Sequence, residues 1–264
     1  MKTPVIKKNI IHIYLESIER SYSNLPSTMD SFSYFSKLEN QGLSFTNIGQ
    51  VYGTEYTGAG LVASQCGVPL LPNGIFNIRK KLRLGVDKDF NSENFMSHIT
   101  CLGDILSSDG YHLEYLNGSD TNIFSKGRIF LSHGYNSVFG INYMDEPDAE
   151  KRKNVWGLND DFIFEKVESR LESLAKKDKP FVLTMLTIGT HGPDGFLDDE
   201  CNNYTIRGSH IPAAIECTGN HIKNLIKKLH EIGIAEETIV IIQSDHLAMK
   251  NTIYDELKLF GDDR

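Results

Sequence analysis

The sequence predicts an α/β fold with a mainly parallel central sheet flanked by helices. The first basis is three short apolar segments, rich in β-branched and aromatic residues, at residues 9–17, 181–188 and 238–243. Segments of this length and composition are typical of strands buried inside a sheet. The second basis is that helical patterns separate these strands, and alternation of strands with helices favours a parallel sheet.

The first part of the chain predicts two helices and a short strand after the first buried strand. A helix is expected over residues 28–39 and a short strand over residues 43–48. A second helix is expected over residues 58–66, because Gly67 and Pro69 follow it and such residues end helices.

Thr57 stands immediately before this second helix, within the segment VYGTEYTGAGLVASQCGVPL at residues 51–70. We expect it at the N-cap, where a threonine hydroxyl bonds the amides of the first turn. The same helix end favours a bound anion such as phosphate, because of its free amides and the helix dipole. From these residues alone, a capping role and a ligand-binding role both stay open.

The rest of the chain continues the alternation. The expected elements are a helix at 99–108, a strand at 111–116, a Gly-, Ser- and Asn-rich loop at 117–140 with one or two helical turns around 128–132, and helices at 162–176 and 212–229. The last two helices carry apolar residues at helical spacing, so we expect them to pack on the sheet. Either Asn159 or Asp160 can cap the first of the two.

Composition narrows the class of protein. The chain of 264 residues is long enough for a large core, and its net charge of −8 argues against nucleic-acid binding. The dense basic run at residues 79–83 is expected to be a solvated loop rather than a membrane contact. There is no transmembrane stretch, and residues 1–9 lack the apolar region of a signal peptide. We therefore expect a chain without an export address or anchor of its own, or a segment of something longer.

The four cysteines leave their state open. They are Cys66, Cys101, Cys201 and Cys217, and no two have the C-x-x-C spacing of many zinc and redox sites. Four cysteines allow three pairings, of which the pairing of sequence neighbours joins Cys66 to Cys101 and Cys201 to Cys217. Four reduced, buried thiols fit the composition equally well.

Ionisable residues follow all three buried strands. Glu16 ends the first, His191 lies in the loop after the second, and Asp245 with His246 follows the third. Sites in open α/β sheets form outside the carboxyl ends of the strands. With Thr57, these residues offer carboxylates, imidazoles and a hydroxyl. Two carboxylates, one imidazole and one hydroxyl oxygen make a ligand set that suits Mn²⁺, Mg²⁺ or Zn²⁺. A metal beside Thr57 would lower the pKa of its hydroxyl and make it a nucleophile.

Several other chemistries are disfavoured by missing motifs. The sequence has no G-x-S-x-G, no G-x-x-x-x-G-K-[ST] and no G-x-G-x-x-G, which argues against serine hydrolases and common nucleotide-binding folds. We also find no set of six Asp and His ligands such as a two-metal phosphatase needs.

At these residues the sequence resembles the periplasmic phosphoglycerol transferases that decorate osmoregulated periplasmic glucans. It is similar, more distantly, to the lipoteichoic acid synthases, and both groups belong to the sulfatase-like branch of the alkaline phosphatase superfamily. The matching motifs, in order, are LES at 15–17, YTGAGLVASQCGVPL at 56–70, CLGDIL at 101–106, SHGY at 132–135, WGLNDD at 156–161, THGPDGF at 190–196 and SDHLAM at 244–249.

The resemblance implies a metal-dependent phosphotransferase. Glu16, Thr57, Asp245 and His246 would hold one metal, Mn²⁺ first, with Mg²⁺ or Zn²⁺ as alternatives. Thr57 would attack the phosphodiester of phosphatidylglycerol and release diacylglycerol, and a glucan hydroxyl would then displace the covalent intermediate. His191 would contact the phosphoglycerol or protonate a leaving oxygen.

Two further positions carry over with changes. Lys126 falls where the lipoteichoic relatives place an arginine on the phosphoglycerol, and Phe124 stands in place of their tryptophan.

The conventional sulfatase motif C/S-x-P-x-R is missing at residues 57–61, which counts against sulfate-ester hydrolysis. Alternative functions are a phosphodiesterase, a phosphoethanolamine transferase, or an inactive truncated paralogue that binds glycans. Trp156 is expected to pack or to fix a loop, and a position at the border of the pocket is the alternative.

The family setting also differs from the chain. Relatives are anchored or exported and continue past the Asp245–His246 motif, so we expect residues 1–264 to be one sulfatase-like catalytic domain lacking its C-terminal part. The resemblance implies the periplasmic face of the inner membrane, with membrane contact through the lipid substrate. It also favours the two sequence-near disulfides, since that compartment is oxidising.

Overall fold

The structure, a computed structural model, describes residues 7–70, 95–143, 149–201 and 209–260. The basic run at residues 79–83 lies outside the described residues. Among the described residues, no helix combines the length and the apolar composition needed to cross a membrane.

A five-stranded sheet forms the centre of the described fold, with the strands in the order β3-β2-β6-β1-β7. All neighbouring strands in it run parallel, which confirms the predicted parallel sheet. The small strands β4 and β5 form a separate antiparallel pair. The strands are β1 (Asn9–Leu15), β2 (His112–Asn117), β3 (Ser137–Phe139), β4 (Lys153–Asn154), β5 (Gly157–Leu158), β6 (Phe181–Leu186) and β7 (Thr238–Ser244).

Helices connect and cover these strands. They are α1 (Ser33–Gln41), α2 (Thr57–Cys66), α3 (Leu102–Ser108), α4 (Lys126–Leu131), α5 (Asp160–Leu174), α6 (Ile211–Glu231) and α7 (Tyr254–Leu257). Short 3-10 turns lie at Arg20–Asn24, Ile123–Ser125, Ile141–Tyr143, Ala235–Glu237 and Lys258–Phe260. The two long helices, α5 and α6, match the predicted amphipathic segments within two residues at their starts.

The sheet buries apolar side chains on both faces, because successive residues of a strand point to opposite sides. Ile11 and Ile13 of β1 belong to a large cluster that includes the apolar stripes of α5 and α6. Tyr14 belongs instead to a second cluster, which contains Leu61 of α2. Helix α2 therefore lies on the opposite face of the sheet from α5 and α6.

Two predictions of secondary structure are wrong. The expected strand at residues 43–48 is irregular, and its Leu43, Phe45 and Ile48 side chains are 84%, 68% and 78% exposed. Residues with strand propensity do not form a strand unless a neighbouring strand pairs with them. The helix expected from residue 28 begins at Ser33, and turns precede it.

Thr57 does not occupy the predicted N-cap. Tyr56 is the N-cap, with extended backbone at φ −149° and ψ 154°, and Thr57 is the first helical residue. Gly67 ends the helix in the left-handed conformation, at φ 67°, as the sequence predicts. The Thr57 hydroxyl is thus directed to a partner outside its own helix.

The two sequence-near disulfides are confirmed. Cys66 at the end of α2 is bonded to Cys101 just before α3. Cys201, in the segment after β6, is bonded to Cys217 within α6. The first disulfide fixes the end of α2 that lies farthest from Thr57.

Candidate active site

Neighbouring strands bring together the ionisable residues that follow them. In the register of β1 with β7, Leu15 lies opposite Ser244, so Glu16 and Asp245 come next on adjacent strands. The backbone N–H of Asp245 donates to the carbonyl of Leu15 at 3.2 Å, which continues the ladder by one step. Both carboxylates are almost completely buried.

Thr57 and His246 complete a compact polar cluster with these carboxylates. The Thr57 hydroxyl donates to Glu16 Oε2 at 3.2 Å. His246 Nε2 lies 3.5 Å from Glu16 Oε1 and 3.4 Å from Asp245 Oδ2. One ligand atom from each of Glu16, Asp245 and His246 lies within 4.8 Å of the others, which is the spacing expected around a single ion.

The tautomer of His246 leaves a lone pair facing the carboxylates. Its Nδ1 lies 2.8 Å from the carbonyl oxygen of Leu247. Because a carbonyl only accepts hydrogen bonds, Nδ1 carries the proton and Nε2 of the neutral ring is a free acceptor. Metal-binding histidines are commonly oriented in this way.

Two atoms of the cluster lack hydrogen bonds. Among the described residues, Asp245 Oδ2 and His246 Nε2 are buried without a hydrogen-bond partner. The other oxygen of Asp245 accepts from the backbone N–H groups of Ser17 at 3.0 Å and His246 at 2.9 Å. Buried polar atoms are nearly always paired, so these two acceptors, with Glu16, fit a divalent cation.

The two buried carboxylates of the cluster repel each other when both are ionised. Burial and the neighbouring charge of Glu16 raise the pKa of Asp245 to about 7. Burial also opposes ionisation of Glu16, but the positive charges that His246 and His191 carry when protonated outweigh it and lower the pKa of that carboxyl. Two buried carboxylates of this kind ionise together readily only beside additional positive charge.

Glycine allows α2 to approach the end of β7. A Cβ atom at position 60 would lie 1.9 Å from the carbonyl oxygen of Asp245. Similarly, a Cβ atom at position 58 would lie 2.9 Å from the Cβ of Phe124. Gly58 and Gly60 therefore permit the close packing that brings Thr57 to Glu16.

Residues with left-handed backbone adjoin the cluster, and the sequence did not predict this conformation for them. Ser17, directly after Glu16, has φ 54°, while Phe124 and Ser125 have φ 56° and 57°. This region is strained for residues other than glycine and is often found at functional sites. Ser17 also donates its hydroxyl to Glu16 Oε1 at 2.8 Å.

Lys126 follows the two strained residues and is 3% exposed. Burial lowers the pKa of this lysine to about 8, although the charges of Glu16, Asp120 and Asp245 act in the opposite direction. Its Nζ lies 5.9 Å from the centre of the Phe124 ring. Lys126 is thus close enough to Glu16 and Asp245 for their charges to act on it, and Phe124 lies beside Gly58 at the start of α2.

His191 lies on a loop that is tied to the cluster and to α5. The neighbouring Thr190 hydroxyl donates to the backbone carbonyl of Glu16. Asp160 accepts from the backbone N–H groups of Ile188 at 2.8 Å and Gly189 at 2.9 Å. Burial raises the pKa of Asp160 to about 6 despite these bonds.

The Asp160 carboxylate therefore binds the loop after β6, a role that its position in the sequence did not predict. Asn159 is the N-cap residue of α5, as one of the two predicted alternatives. The Asp160 carboxylate instead holds the start of the loop that carries His191. In the sequence, Asp160 stands beside Asn159, and both residue types cap helices. The sequence therefore does not show which of the two caps α5 and which binds the loop.

The match to a protein family decides the classification. Residues 8–258 match the Sulfatase family model. The chain belongs to the sulfatase family. This assignment confirms the resemblance to the sulfatase-like branch.

Curated relatives of this sulfatase-family chain are transferases by name. Phosphoglycerol transferase I of Escherichia coli strain SMS-3-5 is 33% identical over 259 residues, which cover 96% of this chain and 33% of the relative. The protein of the same name from Escherichia coli strain K12 is 32% identical over the same length. The chain therefore spans about a third of the length of these relatives.

Solved structures share the fold of this sulfatase-family chain. The lipoteichoic acid synthase LtaP from Listeria monocytogenes has a TM-score of 0.71 at 15% identity, covering 93% of this chain and 58% of that one. The Streptococcus pyogenes phosphoglycerol transferase GacH, in complex with sn-glycerol-1-phosphate, has a TM-score of 0.62 at 14% identity, covering 97% and 66%. At such low identity these likenesses concern the fold alone.

Proposed function

We propose that this chain carries the active site of a metal-dependent phosphotransferase, which moves phosphoglycerol from phosphatidylglycerol to a glycan through a covalent Thr57 intermediate. One observation carries the proposal. The Thr57 hydroxyl is bonded to Glu16 in a buried cluster where Asp245 Oδ2 and His246 Nε2 have no hydrogen-bond partner among the described residues. The names of the curated relatives support the transferred group.

Glu16, Thr57, Asp245 and His246 are the residues that would hold the cation. Their oxygen and nitrogen donors suit Mn²⁺, our first expectation, as well as Mg²⁺ or Zn²⁺. When bound, the ion supplies positive charge that favours the ionised threonine hydroxyl and the phosphate oxygens. The sulfatase motif C/S-x-P-x-R is missing at residues 57–61, so a sulfate ester is disfavoured as substrate.

The first chemical step forms the covalent intermediate. Thr57 Oγ1 passes its proton toward Glu16 Oε2 as it forms a bond to the phosphorus of the donor phosphodiester. The bond from phosphorus to the diacylglycerol oxygen breaks, and His191 donates the proton that makes diacylglycerol a neutral leaving group. Because Thr57 is the first residue of α2, a phosphate bonded to it would lie at the positive end of the helix dipole.

The second step transfers the phosphoglycerol group. A hydroxyl of the acceptor, which we propose to be an osmoregulated periplasmic glucan, attacks the phosphorus and passes its proton to His191. The bond between Thr57 and phosphorus breaks, and Thr57 regains its proton from Glu16. Lys126 holds the negatively charged group by charge, and the Phe124 ring lies beside the lysine ammonium group.

The cellular setting follows from these substrates. A lipid donor requires contact with a membrane surface, and we propose the periplasmic face of the inner membrane, where the two disulfides would be stable. We also propose that residues 1–264 belong to one catalytic domain.

Covalent labelling tests the function. The protein is incubated with Mn²⁺ and phosphatidylglycerol labelled in its terminal glycerol, then acid-quenched and analysed by peptide mass spectrometry. We expect glycerophosphate on the Thr57 peptide of the wild type and none in Thr57→Ala. Thr57→Ser should still be labelled, because serine keeps the hydroxyl. Equal labelling of Thr57→Ala would refute the covalent mechanism.

Repeating the experiment with phosphatidylethanolamine as the donor, and with a glucan added as the acceptor, separates the alternatives. Labelling by phosphatidylethanolamine instead of phosphatidylglycerol would indicate a phosphoethanolamine transferase. Release of free glycerophosphate without transfer to a glucan would indicate a phosphodiesterase. A ligand of the native state raises its stability. Failure of labelling together with no rise in Tm in Mn²⁺ relative to EDTA would therefore favour the inactive paralogue, which binding of the glucan would then have to show.

A further inference from the structure

Trp156 is the single tryptophan of the chain. It lies in the turn between β4 and β5, next to Val155, whose side chain is 85% exposed. Its backbone N–H donates to the side-chain oxygen of Asn154 at 2.8 Å. A pair of strands this short has little stability of its own, so other contacts must hold the turn in place.

Contacts with the segment after β2 fix the turn. Leu158 donates its backbone N–H to the carbonyl of Gly118 at 2.8 Å, and Gly157 forms an isolated bridge with Ser119. Gly157 has φ 146°, and a Cβ atom there would lie 2.1 Å from the Gly118 carbonyl oxygen. This close approach holds the β4–β5 turn, which carries the indole, against the segment after β2.

The indole packs on the imidazole of His191. The two ring centres are 4.2 Å apart, and the ring planes are inclined by 35°. His191 Nδ1 also lies 2.7 Å from the carbonyl oxygen of Gly192, so Nδ1 carries the proton of the neutral ring. The hydrogen bond restrains the imidazole within its plane, and the indole restrains it from one face. Nε2 is the nitrogen left for proton transfer.

We propose that Trp156 is a positioning residue, which holds the His191 imidazole in the orientation needed for proton transfer. The inference rests on the function proposed for His191. Asp160 and Thr190 already fix the backbone of the loop, so the remaining freedom of His191 is rotation of its side chain. Trp156 restricts that rotation by packing on one face of the imidazole.

Kinetics test this role through a double-mutant cycle. The four proteins are wild type, Trp156→Ala, His191→Ala and the double variant. The substrate is glycerophosphoglycerol with Mn²⁺, a water-soluble diester whose alkoxide leaving group, like that of the lipid donor, needs a proton. We expect Trp156→Ala to lower kcat about tenfold or more with KM nearly unchanged, because misplacement by ~1 Å can cost a hundredfold. In the His191→Ala background the same change should have less than about a twofold effect, since the two residues act as one unit.

Two further variants separate positioning from folding. Trp156→Phe keeps an aromatic ring on the imidazole and should restore most of kcat, whereas Val155→Ala changes the neighbouring exposed residue and should leave kcat unchanged. Equal fold-losses from Trp156→Ala in both backgrounds would overturn the proposal. So would an effect confined to KM.

Fluorescence supplies a readout that does not depend on activity. Because Trp156 is the single tryptophan, the decay of its fluorescence anisotropy reports its local motion. We expect faster local motion in His191→Ala than in wild type; an identical decay would refute the contact. If wild type lacks transferase and phosphodiesterase activity but shows this difference, the proposed function fails while the contact stands.

Discussion

Replacement of Gly60 by alanine tests whether the approach of α2 to β7 builds the site. The added Cβ would lie 1.9 Å from the carbonyl oxygen of Asp245 and 2.9 Å from its carbonyl carbon. Since non-bonded heavy atoms attract best at about 3.5–4.0 Å, α2 has to move away by more than about 1 Å. Asp245 cannot easily yield, because its N–H is bonded to Leu15 and its carboxylate to Ser17.

Two effects of opposite sign determine the stability of Gly60→Ala. Helix propensity favours alanine over glycine by about 1 kcal/mol. Overpacking of a rigid core costs about 1–3 kcal/mol, and occasionally more. A clash with backbone belongs at the upper end of that range, so we expect net destabilisation of about 2 kcal/mol. For a domain of this size that lowers Tm by roughly 4–8 °C.

Thermal unfolding with and without Mn²⁺ measures both stability and metal binding. The matched control is Gly219→Ala within α6, where the new Cβ would lie 3.4 Å from the Cβ of Tyr34, an ordinary contact. We expect this control to be as stable as wild type or up to about 1 kcal/mol more stable. The reasoning is refuted if Gly60→Ala is as stable as the control and keeps the full Mn²⁺-dependent rise in Tm.

Two other predictions concern Lys126 and the disulfides. Because the pKa of Lys126 is lowered to about 8, its positive charge is present below that pH and lost above it. KM for the phosphodiester donor should therefore rise above pH 8 in wild type and stay flatter in Lys126→Arg, since arginine remains charged. Replacement of Cys201 and Cys217 by serine should cost about 3 kcal/mol in urea unfolding, because the disulfide closes a loop of 16 residues.

Each of these predictions has a matched comparison. An equal rise of KM in Lys126→Arg would assign the pH effect to another group. Serines at Cys66 and Cys101, which are 35 residues apart, should cost nearly 4 kcal/mol by the same loop-entropy relation. If both paired variants were as stable as wild type in non-reducing buffer, the disulfides would not contribute as argued.

The residues of the acidic cluster could be predicted from the sequence because they follow the ends of buried strands. Glu16 and Asp245 each follow a buried strand, and the carboxyl ends of parallel strands share one edge of a sheet. The sequence could not show that the two strands are neighbours, nor that Leu15 pairs with Ser244. The register supplies the spacing of the cluster, and sequence periodicity contains no register.

Errors in the local predictions have a different cause. Residues 43–48 have the composition of a strand but no partner, and Thr57 resembles a cap although its hydroxyl bonds Glu16. In both cases a tertiary contact, or its absence from the described fold, overrides a local preference. The use of Asp160 to hold the Gly189 amide is of the same kind, since loops that fold back on each other leave no periodic signal.

During synthesis of the chain, β1 emerges long before β6 and β7, the two strands that pair with it. Asn9 is separated from its contact Phe181 on β6 by 172 residues, and β7 follows later still. At about 5–20 residues per second, this delay is roughly 9–35 s. Both edges of the apolar β1 segment stay open throughout, and open edges pair with any exposed strand. Misassembly of a nascent chain should therefore begin at β1. At that stage Glu16 and Thr57 have been synthesised, but Asp245 and His246 have not.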